Sequence, residues 1–467
     1  LSGGAHFDRI DPLKTLNNKA LAAGVKMQSN RQSLERVLAE LEARAKTERV
    51  FGKIYAETAR NEADAADQRI KEGRSRGPLD GRIVSIKDLF DVTGEPTLAG
   101  SIVRKVGSPA TNDALIVQHL RDAGAIIVGK THMTEFAFTA VGLNPHYGVP
   151  ANAVDPTRVP GGSSSGAAVS VAEGTSEIAI GSDTGGSVRI PAALNGVVGF
   201  KPTAKRIPLD GAFPLAPSLD SIGPLARTVA DCILTDAIMA GEAPVLPDAT
   251  DLSTLTVGLP EGVLLADMEP EVAEAFGEAL NALKNAGVRV VPLEVNDLIL
   301  ELRKAARIGS IAGIEASHVH ADTWLKDPDA NVDHRVKYTL AERLNVSDQA
   351  YEGLMQTRKN LVQEMDRRLG GMDFFVTPTT PIVAPTIASV SEDPVEYDRV
   401  EGLLLRNTQI ANQFDLCSIT LPMPVKGMPA GFMLTARNGA DKLLFAAALA
   451  VEKLLECLPK SGNRFSE

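Results

Sequence analysis

Cysteine, histidine and tryptophan are all scarce in this chain: three, seven and one in 467 residues. Cys232, Cys417 and Cys457 lie far apart and form no CxxC pair. That spacing excludes a disulfide framework and a cysteine-built zinc site, and it predicts buried thiols in a reducing compartment. Long hydrophobic runs are missing as well. The longest, Leu443 to Val451, is too short to cross a bilayer. Residues 1–30 show no apolar stretch after a basic start, so no signal peptide is expected. The chain opens on Leu1 rather than Met, and the expectation is that its native first residues are absent. Basic residues are outnumbered, 48 Lys and Arg against 59 Asp and Glu, for a net charge of −11. Nucleic acid and anionic membranes both select a positive surface. Neither is an expected partner, and a cytoplasmic protein is the default.

What is present is ordinary globular material, 44% hydrophobic and 23% charged. The length fits about three domains, or one large α/β domain with an insertion. Leu34, Val37, Leu38, Leu41 and Ala45 recur at helical spacing, as do Ala59, Ala63, Ala66 and Ile70 before Gly73. Ile83–Ile86 reads as a buried strand ending at Lys87. A helix carrying Ile116, Val117, Leu120 and Ala123 then stops at Gly124 and leads into the strand Ala125–Val128. Strand, helix, strand predicts α/β. Further on, Leu255–Leu259, Val288–Val291 and Phe374–Val376 read as strands, Val272–Leu283 and Asp441–Leu455 as helices, 240–254 as a linker and 300–370 as mostly helical and charged.

Residues 161–199 differ in texture, with nine glycines in 39 positions against 40 in the whole chain. Such a concentration shapes backbone rather than side-chain packing. Three chemistries use a run like Gly161-Gly162-Ser163-Ser164-Ser165-Gly166. A phosphate loop needs a Lys and a Ser or Thr where Ala167 and Ala168 stand, so nothing would neutralise the phosphates. A nucleophile elbow centred on Ser164 needs a strand before it, and Pro156 and Pro160 argue against one. The third reading joins this loop to Gly181-Ser182-Asp183-Thr184-Gly185-Gly186-Ser187. There a serine follows two glycines, so successive N–H groups can converge on one point, as an oxyanion hole requires. No histidine lies between His146 and His318 to act as base, but Lys87 ends a strand that can lie beneath. His318 and His320 lack a third partner at metal-ligand spacing.

With these two loops in order, the chain resembles the amidase signature family. The family's G-G-S-S-[GAS]-G stretch, followed by G-[ST]-D-x-G-G-S-x-R-x-P-A, is matched from Gly161 to Ala192. Ser85-Ile86-Lys87-Asp88, Gly129-Lys130-Thr131 with Glu135-Phe136, Gly199–Thr203, Leu219–Pro224, Thr377–Pro381 and Gly427–Gly431 also resemble its landmarks. The resemblance implies one large α/β amidase domain with a mixed central sheet flanked by helices. It divides into N-terminal helices over 1–75, a signature core over 82–230, a helix-rich insertion over 240–370 and the C-terminal part of the core over 371–460.

Carried over residue by residue, the resemblance implies Ser187 as acylated nucleophile, Ser163 as relay on a cis Gly162–Ser163 peptide, and Lys87 as base. Thr184, Gly185, Gly186 and Ser187 would supply oxyanion N–H groups. Asp183, Arg189 and Ser164 would hold the loops, and Gly162 would contact substrate. Phe136, Phe138 and Tyr147 either line an acyl pocket or pack the core. Ser165 departs from the glycine that many members carry, which matters only if its φ is positive. A free lysine titrates near 10.4, so Lys87 can accept a proton only if burial lowers that value. No metal or organic cofactor is implied. The expected partner is a small-molecule amide, a homodimer is compatible with the resemblance, and the expected reaction releases the acid and ammonia. A glutamine-hydrolysing component of a tRNA-dependent amidotransferase, an allophanate-type hydrolase and a non-catalytic scaffold are the alternatives.

Overall fold

Eleven strands form one sheet among residues 28–459, which are those that the computed structural model describes. The expectations about a leader and about the native first residues lie outside them. Helix α1 (Asn30–Ala43) starts where the Ser29 side chain accepts from the Gln32 N–H and the Gln32 side chain returns the bond, a capping box. Its Leu34, Val37, Leu38 and Leu41 are buried as the spacing predicts, but the helix ends before Ala45. Strand β1 (Phe51–Ile54) follows, then α2 (Ala56–Lys71), which buries Ala59, Ala63 and Ala66. Ile70, read as part of that face, is 51% exposed instead.

The next elements build the middle of the sheet. They are β2 (Ile83–Lys87), α3 (Leu115–Asp122), β3 (Ile126–Thr131), α4 (Ser165–Glu173), β4 (Ile178–Ser182), α5 (Arg189–Asn195), β5 (Val198–Lys201), β6 (Ile222–Ala226) and α6 (Val229–Met239). The stretch 240–370 holds helices α7 (Pro270–Asn285), α8 (Asn296–Ala305), α9 (Ile311–His320), α10 (His334–Arg343) and α11 (Asp348–Arg368). It also contributes strands β7 (Thr256–Pro260) and β8 (Arg289–Leu293) to the sheet edge. The chain then adds β9 (Phe374–Pro378), α12 (Ile387–Glu392), α13 (Pro394–Gln413), β10 (Cys417–Pro422), β11 (Gly431–Ala436) and α14 (Asp441–Glu456).

Strand order is β1-β3-β2-β4-β6-β5-β10-β11-β9-β7-β8. Strands β3, β2 and β4 run parallel, as do β9, β7 and β8, and the pairings between these blocks are antiparallel. The mixed sheet is therefore two parallel blocks welded by an antiparallel centre. The central strands are buried along their whole length, which requires helices on both faces. Cys232 and Cys417 are buried, whereas Cys457 is exposed, because it caps the end of α14 instead of facing its core side. Among the described residues no helix is long and apolar enough to cross a membrane.

Candidate active site

Strand alternation decides which way Lys87 points. In β2 the side chains of Ser85 and Lys87 leave one face, toward α4, where Ser85 Oγ lies 3.2 Å from Ser170 Oγ. Lys87 is completely buried there. Its Nζ donates to Ser163 Oγ at 2.7 Å and to Ser182 Oγ at 2.9 Å. Burial penalises the ammonium and lowers its pKa from 10.5 to about 7, although Asp183 and Asp220 pull the other way. A buried lysine with a lowered pKa, touching a serine hydroxyl, is able to accept a proton from it.

The Ser-rich loop reaches Lys87 because it enters α4 from beneath two neighbouring segments. The Gly162–Ser163 peptide is cis. Gly162 donates to the Ala140 carbonyl at 2.6 Å, and the Ser163 carbonyl accepts from Thr134 at 3.2 Å. Ser164 ties this loop to the second one: its N–H donates to the Ser187 carbonyl at 3.2 Å and its Oγ to the Ser182 carbonyl at 3.3 Å. Only glycine fits at position 181 opposite, since a Cβ there would sit 2.7 Å from Ser164 Oγ. Both polar groups of Ser164 are thus engaged between the two loops, and Ser165 opens α4 without a positive φ.

The second loop is held by charge. Arg189 and Asp183 are both fully buried and meet in two contacts, Nη2 to Oδ1 at 2.8 Å and Nε to Oδ2 at 3.0 Å. Asp183 Oδ2 also accepts from the Val188 N–H at 3.1 Å. Burial alone would raise the Asp183 pKa, but Arg189 and Asn412 overcome it and hold the carboxyl down at about 2. Between these anchors, the N–H groups of Thr184, Gly185, Gly186 and Ser187 have no acceptor among the described residues. Gly186 has φ +137, and a Cβ there would lie 2.1 Å from Thr408 Oγ1. The Ser187 side chain is buried to 6% exposure and its hydroxyl has no hydrogen bond among the described residues. Four free donors beside a free hydroxyl are what a tetrahedral oxyanion and its nucleophile need.

Several supports do not stand out in the sequence. Ser182 is the second partner of Lys87. Asp220 accepts from Thr184 Oγ1 at 2.6 Å and from the Leu215 and Ala216 N–H groups; it lies within the Leu219–Pro224 landmark. Helix α13 sends Asn412 to both Asp183 and Arg189, and Thr408 to the Gly185 carbonyl at 2.7 Å. A signal for them exists, as Asn407, Thr408 and Asn412 interrupt the apolar side of a long helix.

A cavity of about 210 Å³ adjoins Ser182 and is walled by Ala137, Phe213, Leu215, Asp220 and Ser221 among others. The aromatic trio falls elsewhere. Phe136 stacks on Trp324 at 5.3 Å and packs 6.0 Å behind Phe213. Phe138 packs against the core, and Tyr147 lines a different cavity. The backbone explains it: Phe136 and Ala137 have φ of 53 and 59, so the chain turns and presents Ala137 to the cavity instead. His320 accepts from Trp324 Nε1 at 2.9 Å, and His318 packs edge-on to Tyr351.

Comparison with known proteins gives the family and relatives of the same fold. The Amidase family matches residues 32–445. The chain is 35% identical to the 2-amino-5-chloromuconic acid deaminase of Comamonas testosteroni, over 85% of this chain and 86% of that one. It is 31% identical to a component of the glutamyl-tRNA(Gln) amidotransferase of Chloroflexus aurantiacus, over 90% and 92%. A solved amidase structure, 31% identical, matches with a TM-score of 0.81 over 96% of this chain and 100% of that one. The peptide amidase of Stenotrophomonas maltophilia, 26% identical, gives 0.78 over 97% and 98%.

Proposed function

Because the chain belongs to the amidase signature family, and is an enzyme that hydrolyses amide C–N bonds, we propose that it does so through Ser187, Ser163 and Lys87. The observation that carries this reading is the 2.7 Å contact between a buried lysine, its pKa lowered to about 7, and Ser163 Oγ. Neutral Lys87 takes the Ser163 proton while Ser163 takes that of Ser187, and Ser187 Oγ attacks the amide carbon. The oxyanion that forms receives the N–H groups of 184–187. Lys87 returns the proton through Ser163 to the departing nitrogen, ammonia leaves, and water then cleaves the acyl-serine by the same relay. Acid–base transfer of this type contributes about 10²–10⁴ in rate, and each oxyanion donor about 10²–10³.

The substrate is a small amide with an apolar acyl group, handled by a stand-alone cytoplasmic enzyme. Support comes from the size of the cavity beside Ser182 and from its Ala137, Phe213 and Leu215 walls. The likeness to an amidotransferase component supports a second reading, in which the same chemistry feeds a partner. One experiment covers both. A serine-directed fluorophosphonate is expected to add to Ser187, and the purified chain to release ammonia from benzamide, phenylacetamide or indoleacetamide. An adduct on Ser164 refutes the assignment. Turnover of glutamine alone, or only with a partner protein, moves the chain to the second reading.

A further inference from the structure

On the far side of the sheet from Lys87 lies a second cavity, of about 260 Å³. In the β2–β3 pairing Lys87 faces Thr131 and Ile86 faces Lys130, so Lys130 leaves the opposite face. Lys53 of β1 pairs with Lys130 and shares its face. Two buried polar atoms without a hydrogen-bond partner, His132 Nδ1 and Tyr147 Oη, belong to residues lining this cavity, beside the buried Lys130 ammonium, which is ion-paired to Glu95. Lys130 is 2% exposed and His132 7%. Buried polar groups are nearly always satisfied, and two exceptions beside a buried ammonium in one space point to a ligand.

The charges around it narrow the chemistry. Lys130 sits at the floor, while Lys53 and Lys105 stand exposed at the mouth. Two acids face them, Glu95 and Asp88. Glu95 is already engaged by Lys53 and by Tyr55 Oη. Lys130 Nζ lies 3.0 Å from Glu95 and 3.7 Å from Asp88. Burial raises the Asp88 pKa to about 6, so part of that opposing charge is lost in mild acid. Three cations against two acids make a positive pocket on a chain of net charge −11. Pro96, Leu98 and the tilted rings of Tyr147 and His132, 5.2 Å apart, supply apolar walls. At about 30 Å³ per water, the space suits roughly nine non-hydrogen atoms.

We propose that this cavity is a binding site for a small carboxylate with a flat apolar body, its oxygens received by Lys130 Nζ and Tyr147 Oη. The site is separate from the serine loops and does not depend on their role. Isothermal titration calorimetry of the full chain with sodium benzoate tests it, with neutral benzamide as control. Saturable benzoate binding is expected, weakened about tenfold or more in Lys130→Met, as for loss of a charge-assisted hydrogen bond. Tyr147→Phe, which removes only the hydroxyl, is expected to weaken it about three- to tenfold. This second variant serves if Lys130→Met does not fold. No benzoate heat, or benzoate binding that both variants leave unchanged, overturns the proposal. So does phosphate binding with benzoate excluded, which would mark a plain anion site.

Discussion

Replacing Lys87 by methionine tests the electrostatics of the site through stability rather than rate. In the unfolded chain a lysine keeps its ordinary pKa of 10.5; buried in the fold it titrates at about 7. The fold therefore binds fewer protons at this position than the unfolded chain does, and stability rises with pH between those two values. The penalty is present in full below pH 7 and fades as pH approaches 10.5. With about 1.36 kcal/mol per pKa unit, it amounts to about 4 kcal/mol at pH 7 and about 2 kcal/mol at pH 9. Methionine has a similar volume and carries no such term. It does lose the bonds to Ser163 and Ser182, roughly 1 kcal/mol each, but that loss does not vary with pH. The stability of Lys87→Met relative to the natural chain should thus fall by about 2 kcal/mol between pH 7 and pH 9. Urea unfolding of both proteins at the two pH values measures it. A constant difference, or one that grows with pH, refutes the buried neutral lysine and with it the base.

The same titration predicts that kcat/KM falls as pH drops through about 7, where Lys87 gains its proton, and that Lys87→Arg does not restore activity, since arginine stays charged. Ser187→Ala should lower kcat by several orders of magnitude with unchanged thermal unfolding. Ser163→Ala should cost about 10²–10³, measured in the same ammonia assay, because water can stand in for a relay hydroxyl. Gly186→Ala should abolish activity, given its φ of +137 and the Thr408 hydroxyl in the way. Gly185→Ala meets only Leu405 Cδ2 at 3.2 Å and should retain a measurable part. Equal losses in the two glycine variants would contradict this reading of the loop.

How far the sequence reached depended on whether a signal was local. Helices α1, α2, α3 and α14 were legible because each shows an apolar stripe to one partner. Strands β4, β5, β6, β10 and β11 were not. They are short, buried on both faces and carry Gly, Ser, Thr or Pro where alternation would otherwise appear. Lys87, the two serine loops and the Asp183–Arg189 pair lie close together in the folded chain. The wall of the cavity was not readable from Phe136, Phe138 and Tyr147. Side-chain direction there is set by two residues at positive φ, which composition does not reveal.

The clamp that α13 places on the serine loops has a consequence for synthesis. Asn412 reaches Asp183 across 229 residues, Thr408 reaches Gly185 across 223, and Glu401 accepts from Ala140 across 261. Lys87, Ser163 and Ser187 are all synthesised before these partners. The nascent chain therefore carries the proposed nucleophile, relay and base without the contacts that hold their loops in the folded chain. On the proposed assignment, a chain stopped before α13 is expected to be inert although it contains Lys87 and both serine loops.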